Sequence, residues 1–152
     1  MQLTRAADYA VRVMIHLAVV PSGVCASRDA LAEMTEVPPE FLGKVLQALA
    51  RSDLVTSRRG ARGGYSLARD GAAITMLDVV EAIEGPLHLN LCLQSGQACG
   101  RSPWCAAHTV WARAQSALAQ VLASASIDDL ARQSAVARRA WGLSPVSSER
   151  NG

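Results

Sequence analysis

Cys92, Cys99 and Cys105 fall in a loop bearing glycine and serine, and His108 follows three residues after the last of them. Thiolate sulfur is a soft donor and imidazole a borderline one, so four such groups within seventeen residues point to a metal centre. Sulfur at this density selects zinc or an iron-sulfur cluster over magnesium or calcium. Two readings without metal stand beside it, free buried thiols and disulfides, and the terminal C-x2-H favours the metal. The intervals of seven, six and three residues lack the paired C-x2-C chelate usual in structural zinc sites. His16 and His88 are read as ordinary side chains, with His88 the nearer to a ligand because it borders the loop. Cys25 is read as a small core or surface residue with no assigned chemistry.

A second concentration of chemistry is positive charge. The chain carries a net charge of only +2, yet from Lys44 to Arg69 six basic residues (Lys44, Arg51, Arg58, Arg59, Arg62 and Arg69) meet one acid, Asp53. Arg58-Arg59-Gly60-Ala61-Arg62-Gly63-Gly64 lies between two strand-like pieces, Leu54 to Ser57 and Tyr65 to Leu67, and reads as the tip of a β-hairpin. It is not a phosphate-binding P-loop, because no Gly-Lys-Ser/Thr follows and no helix begins there. Nothing resembles a Ser-His-Asp set, a nucleotide loop or a working pair of carboxylates, so catalysis is not expected.

The elements that must position these groups are mostly helical. The 152 residues suffice for one domain with a real core, or one domain plus a helical extension, and alanine-rich composition with one phenylalanine suits closely packed helices. Thr4 can cap a helix to about Val20, with Ala10, Met14, Leu17 and Ala18 at helical spacing. Ser27 caps a short helix with Ala30, Leu31 and Met34 inward, Thr35 to Pro38 form a turn, and Pro39 opens a helix to about Ser52. That helix is expected to bury Phe41, Leu42, Val45, Leu46 and Leu49 and to present Glu40, Lys44, Gln47 and Arg51 outward. Two short helices joined by a tight turn are a helix-turn-helix signature, and the basic hairpin after them looks like a wing. Thr75 and Asp78 form a capping box for a further helix ending at Gly85-Pro86. A long helix from about Pro103 to Ala123 follows the loop, with Trp111, Ala114, Leu118, Val121 and Leu122 as a near-heptad stripe suited to dimerisation or to packing back on its own domain. Ser126 caps a last short helix, and the polar segment after about Trp141 is expected to be mobile.

The fold expected is therefore mainly α: a winged helix-turn-helix with a small β-hairpin wing plus a long dimerisation helix. Its parts would be a DNA-binding domain over 1–84, a cysteine loop over 85–102, dimerisation helices over 103–135 and a flexible tail over 136–152. The apolar run Met14 to Val20, with Cys25 just beyond, superficially suggests a lipoprotein signal. Asp8 and His16 interrupt it, Val24 is large where a cleavage site needs a small residue, and no run approaches the roughly 20 residues that span a bilayer. The cytoplasm is expected, where thiols stay reduced.

Met1-Gln2-Leu3-Thr4 with Asp8-Tyr9-Ala10, the wing Arg59-Gly60-x-x-Gly63-Gly64-Tyr65 and the three cysteines together resemble the Rrf-two family of bacterial transcription regulators, over about residues 1 to 135. The resemblance implies a homodimer that binds double-stranded operator DNA, neither a membrane protein nor one with a small-molecule substrate. Its operator affinity would be controlled by an iron-sulfur cluster that senses redox state, iron or nitric oxide. Cys92, Cys99 and Cys105 match the family's cluster cysteines. His108 matches the histidine that completes a 2Fe-2S cluster in some members, and Asp8 the aspartate that completes a 4Fe-4S cluster from the opposite subunit in others. His108 and 2Fe-2S are favoured, because Cys105 and His108 share one helical turn. Gly43 departs from the pattern, since a well-known member carries a glutamate there. Glu40, Lys44 and Gln47 are the candidates for base edges, Arg59 and Arg62 for the minor groove or phosphates, and Arg28, Arg51 and Arg58 for the DNA backbone. The alternatives are a winged-helix regulator with a structural zinc, one with a cluster-free thiol switch, and an iron-sulfur electron-transfer protein.

Overall fold

Side-chain caps decide where four of the described helices begin. The computed structural model describes residues 3–94 and 99–143, with the order α1 (Arg5–Val19), α2 (Arg28–Thr35), α3 (Pro39–Arg51), β1 (Val55–Arg58), β2 (Gly64–Leu67), α4 (Met76–Glu84), α5 (Ala106–Ser124) and α6 (Ile127–Ala140). Single 3-10 turns lie at Gly71–Ala73 and Leu91–Leu93. Thr4 caps α1 and Ser27 caps α2 by accepting from the Ala7 and Ala30 amides. Thr75 and Asp78 close a full capping box on α4, and Ser126 accepts from the Asp129 amide to open α6. Pro39 takes the first turn of α3, where its missing N–H costs nothing.

The core is one cluster that joins Ala10, Val13, Met14 and Leu17 of α1, Leu31 of α2, Leu42, Val45, Leu46 and Leu49 of α3, Val79 of α4 and Ile127 of α6. Fully burying each α3 side chain contributes about 1.5–3 kcal/mol before entropy. That far exceeds the roughly 1 kcal/mol that Gly43 costs an interior helical turn relative to alanine. The inward face therefore sets the rotation of α3. Glu36, in the left-handed conformation at φ 56°, turns the chain sharply between α2 and α3.

β1 and β2 pair antiparallel in the register Val55↔Leu67, Thr56↔Ser66, Ser57↔Tyr65 and Arg58↔Gly64. A further backbone pair attaches the hairpin to the segment before α2: Ala26 and Tyr65 exchange two N–H···O=C bonds of 2.8 Å. At the other end of the domain a seam joins the starts of α4 and α6. The Met76 amide donates to the Ala125 carbonyl at 2.8 Å and the Ile127 amide to the Ile74 carbonyl at 2.9 Å. α6 thereby returns to the core beside α1, with Ile127 and Ala131 buried.

Four local expectations are corrected. Phe41 is 44% exposed, because Leu42, Val45, Leu46 and Leu49 already fill the inward face and leave it at the border against Tyr9, ring centroids 5.9 Å apart. Met34 is also exposed; Thr35 holds the inward place, its hydroxyl donating to the Leu31 carbonyl at 2.6 Å. α5 starts at Ala106, since Cys99 to Trp104 are spent on turns closed by Ser102 and Trp104 amides. α6 is a full 14-residue helix, so 136–140 are helical where a tail was expected, and 144–152 lie outside the described residues. Among the described residues no helix is long and apolar enough to cross a membrane.

His16 is a buried polar residue on the core side of α1, and burial pushes its imidazole below the ordinary value. The helix dipole at the last turn favours a cation there but does not offset the desolvation. Because the folded state prefers neutral His16, its contribution is fully present above about pH 6.5, the unfolded value, and is lost as pH falls through the lower folded value. Urea midpoints measured from pH 7.5 down to 5.5 are expected to fall in the native chain and to fall less steeply in His16→Gln; equal slopes would show that another group titrates.

Candidate functional site

Two sites emerge, a basic surface and a cysteine pocket. On the first, Glu40, Lys44, Gln47 and Arg51 all lie on the exposed side of α3, opposite the buried leucines. Arg58, Arg59 and Arg62 are exposed on the hairpin. The ion pairs of the described residues are Arg12–Asp8, Arg69–Asp78 and Arg132–Asp129, so none of the α3 or hairpin-tip cations is neutralised by a carboxylate. An unpaired row of cations beside an exposed helix is what a phosphate backbone attracts.

The hairpin is aimed by Gly64. It adopts φ +144°, and a Cβ there would stand 2.3 Å from the Ala26 carbonyl oxygen. Only a residue without a side chain lets Tyr65 reach Ala26, and that pair ties the wing to the segment leading into α2. Arg28, at the start of α2, reaches across to α3: its Nη2 donates to the Pro39 carbonyl at 2.9 Å, and its guanidinium covers Gly43.

In the second site, Cys92, Cys99, Cys105 and His108 line one cavity of about 340 Å³, together with Asn90, Leu91, Ala107 and Trp111. All four cysteines of the chain are free thiols. Cys92 sits in the turn Leu91–Leu93, while Cys105 precedes α5 without using its sulfur as a cap, and the His108 amide donates to the Cys105 carbonyl at 3.1 Å. Among the described residues, neither His108 Nδ1 nor His88 Nδ1, both buried, has a hydrogen-bond partner. Gln115, two turns along α5 from His108, accepts the Leu89 amide at 3.0 Å and fastens the incoming loop to the helix. Asn90 and Gln115 were not singled out in the sequence, and Trp111 was placed only in the apolar stripe of α5; the helical spacing of 108, 111 and 115 was the available signal.

Asp8 is not part of this cavity. It faces solvent and pairs with Arg12 at 2.8 Å one turn along α1. His16 lies in the core, and Cys25 is half-buried before the hairpin contact, apart from the pocket.

The donor set fits a sulfur-bound cluster. Soft thiols and an orphaned buried ring nitrogen line one open pocket, and burying an unpaired nitrogen is costly unless something else satisfies it. A single zinc ion needs its donors converging within about 2.0–2.3 Å of one point. Among the described residues no three Cys, His, Asp or Glu side chains gather closely enough to hold one metal ion.

A helix-turn-helix, a basic hairpin wing and a mostly helical body define a winged-helix transcriptional regulator. The chain belongs to the Rrf2 family, described as iron-dependent transcriptional regulators, whose model matches residues 3–133. It is 37% identical over 131 residues to an HTH-type transcriptional regulator of Mycobacterium tuberculosis, covering 86% of this chain and 81% of the relative. It is 34% identical over 134 residues to protein aau3 of Rhizobium meliloti, covering 87% and 86%. Among solved structures it resembles IscR of T. potens, with TM-score 0.73, 25% identity and 91% of each chain covered. It also resembles CymR, the global cysteine regulator of B. subtilis, with TM-score 0.71, 28% identity and 88% and 98% covered. The chain is thus a transcriptional regulator and not an enzyme.

Gly64→Ala is expected to break the Ala26–Tyr65 pair and release the wing. Amide exchange at Tyr65 should speed up at least tenfold while α3 core amides stay protected; unchanged exchange at Tyr65 would mean the wing is held elsewhere.

Proposed function

We propose that this regulator is a homodimer whose operator affinity is set by an iron-sulfur cluster held by Cys92, Cys99, Cys105 and His108. The observation that carries the reading is the shared cavity, with three free thiols and an unpartnered buried His108 Nδ1 on its walls. A 2Fe-2S centre is preferred to 4Fe-4S, since His108 lies in the pocket and Asp8 is engaged by Arg12 on its own helix. Such a centre supplies one-electron redox chemistry and sensitivity to iron supply, oxidants and nitric oxide.

Support for dimerisation comes from α5. Its 19 residues bury only Leu122, while Val110, Trp111 and Val121 stay exposed along it. That much apolar helix surface is best covered by a second copy of the same helix. In a dimer, α3 of each subunit would enter successive major grooves, with Glu40, Lys44 and Gln47 at base edges, Arg59 and Arg62 at the minor groove or phosphates, and Arg51 and Arg58 on the backbone. As a DNA-bound regulator it would work beside the chromosome, in the cytoplasm.

The pocket is placed to influence that arrangement. Cys92 and Cys99 lie in the loop, whereas Cys105 and His108 belong to the start of α5, so holding all four together ties loop to helix. α5 in turn would set the separation of the two α3 helices. Half-sites lie about 34 Å apart, and a small change in that separation alters how well both helices fit.

Protein purified without oxygen is expected to be brown, with iron equal to acid-labile sulfide and about two irons per chain. One zinc per chain would make the centre structural, and metal-free protein that switches on oxidation would make it a thiol switch. Changing Cys92, Cys99 and Cys105 together to serine is expected to abolish both colour and the signal-dependent change in DNA affinity; a triple variant that still responds would end the sensing reading. Arg59→Ala should weaken binding to DNA roughly equally across sequences and lower the salt slope by about one, without altering the melting temperature.

A further inference from the structure

Gly43 is a costly residue for its position. It occupies the interior of α3, where alanine is favoured by about 1 kcal/mol, and the space a side chain would take is already filled. A Cβ on Gly43 would stand 2.7 Å from Arg28 Nη2, 3.3 Å from its Cζ and 3.7 Å from Nη1. The guanidinium of an α2 residue thus lies along the direction in which an α3 side chain would project.

The row it joins is the exposed one. Position 43 is three residues after Glu40 and four before Gln47, so the three share a helical strip, and Glu40, Lys44 and Gln47 are all exposed. Arg28 is held there by one bond, from Nη2 to the Pro39 carbonyl at 2.9 Å. A guanidinium has five N–H donors, so one tether leaves several to present outward, in the fork that matches the O6 and N7 acceptors of guanine. No carboxylate among the described residues pairs with it. An arginine tethered through one nitrogen also loses less freedom on binding than a mobile one, which favours selective contact over loose attraction to phosphate.

We propose that Arg28, seated over Gly43 by the Pro39 carbonyl, is a base-reading and specificity-determining residue that replaces the missing α3 side chain and contacts guanine in the major groove. This rests on α3 being the recognition helix. It revises the backbone role expected for Arg28 from the sequence, and it makes Gly43 a positioning residue, present to leave room for the guanidinium.

The test begins with the full chain purified without oxygen and a pool of randomised 30-base-pair duplexes, from which the bound sequences are selected. The wild-type chain, Arg28→Lys, Arg28→Ala and Gly43→Ala are then titrated against the selected duplex and against each of its single-base-pair substitutions. Arg28→Lys keeps the charge but loses the fork, and Gly43→Ala pushes the guanidinium off its seat while favouring the helix. Both are expected to lose about 5- to 100-fold of discrimination at the same base pair in each half-site, with nearly wild-type binding once that pair is replaced. Gly43→Ala should melt at or above the wild-type temperature, separating its effect from misfolding. A uniform loss on every duplex for Arg28→Ala, with the salt slope lowered by about one and full discrimination kept by Arg28→Lys, would make Arg28 a phosphate contact and overturn the proposal. Unchanged binding in all three variants would overturn it too. If the wild-type chain enriches no sequence, recognition by α3 fails and this proposal falls with it; if it enriches one while only Glu40, Lys44 or Gln47 variants alter discrimination, α3 stands and Arg28 does not.

Discussion

Burial of one face of α3 is the constraint from which the functional surface follows. Leu42, Val45, Leu46 and Leu49 are at most 2% exposed, and they lock the helix against α1 and the rest of the core. With that face committed, Glu40, Lys44, Gln47 and Arg51 have nowhere to go but outward. A helix whose rotation is set by several kcal/mol of apolar burial presents those side chains from a backbone that needs no further ordering, although each exposed side chain keeps its own rotamer freedom.

The same core links the DNA-facing end to the pocket. Thr4, which caps α1, also donates to Glu84 at the end of α4, its amide at 3.0 Å and its hydroxyl at 2.5 Å. The seam between Ile74, Met76, Ala125 and Ile127 joins α4 to the turn between α5 and α6. These backbone bonds are the connection through which the proposed change at the cysteine pocket would reach the rest of the core. The pocket itself is built differently from the core: it combines a short turn, the start of a helix and exposed Cys99.

Much of this was legible from residue types alone, because the decisive signals are local. Caps at Thr4, Ser27, Thr75 and Ser126, Pro39 at the first turn of α3, and leucine spacing along α3 each depend on neighbours within a turn or two. The glycines and arginines of the hairpin, and the cysteines with His108, were read in the same way. The expectations that failed were matters of degree at element borders: Phe41 and Met34 compete for an inward face that better-placed residues fill, and α5 and α6 shift or lengthen at their ends.

The sequence by itself determined the helices, the wing and the candidate ligands, since helical periodicity, capping and turn chemistry act over a few residues. Only the tertiary structure decided which distant groups meet. It put Cys92 and Cys99 opposite Cys105 and His108 in one cavity, left Asp8 outside it, paired Ala26 with Tyr65, and laid Arg28 over Gly43. Those encounters depend on how whole helices pack against a shared core, and no periodicity along the chain encodes a contact between residues so far apart in it.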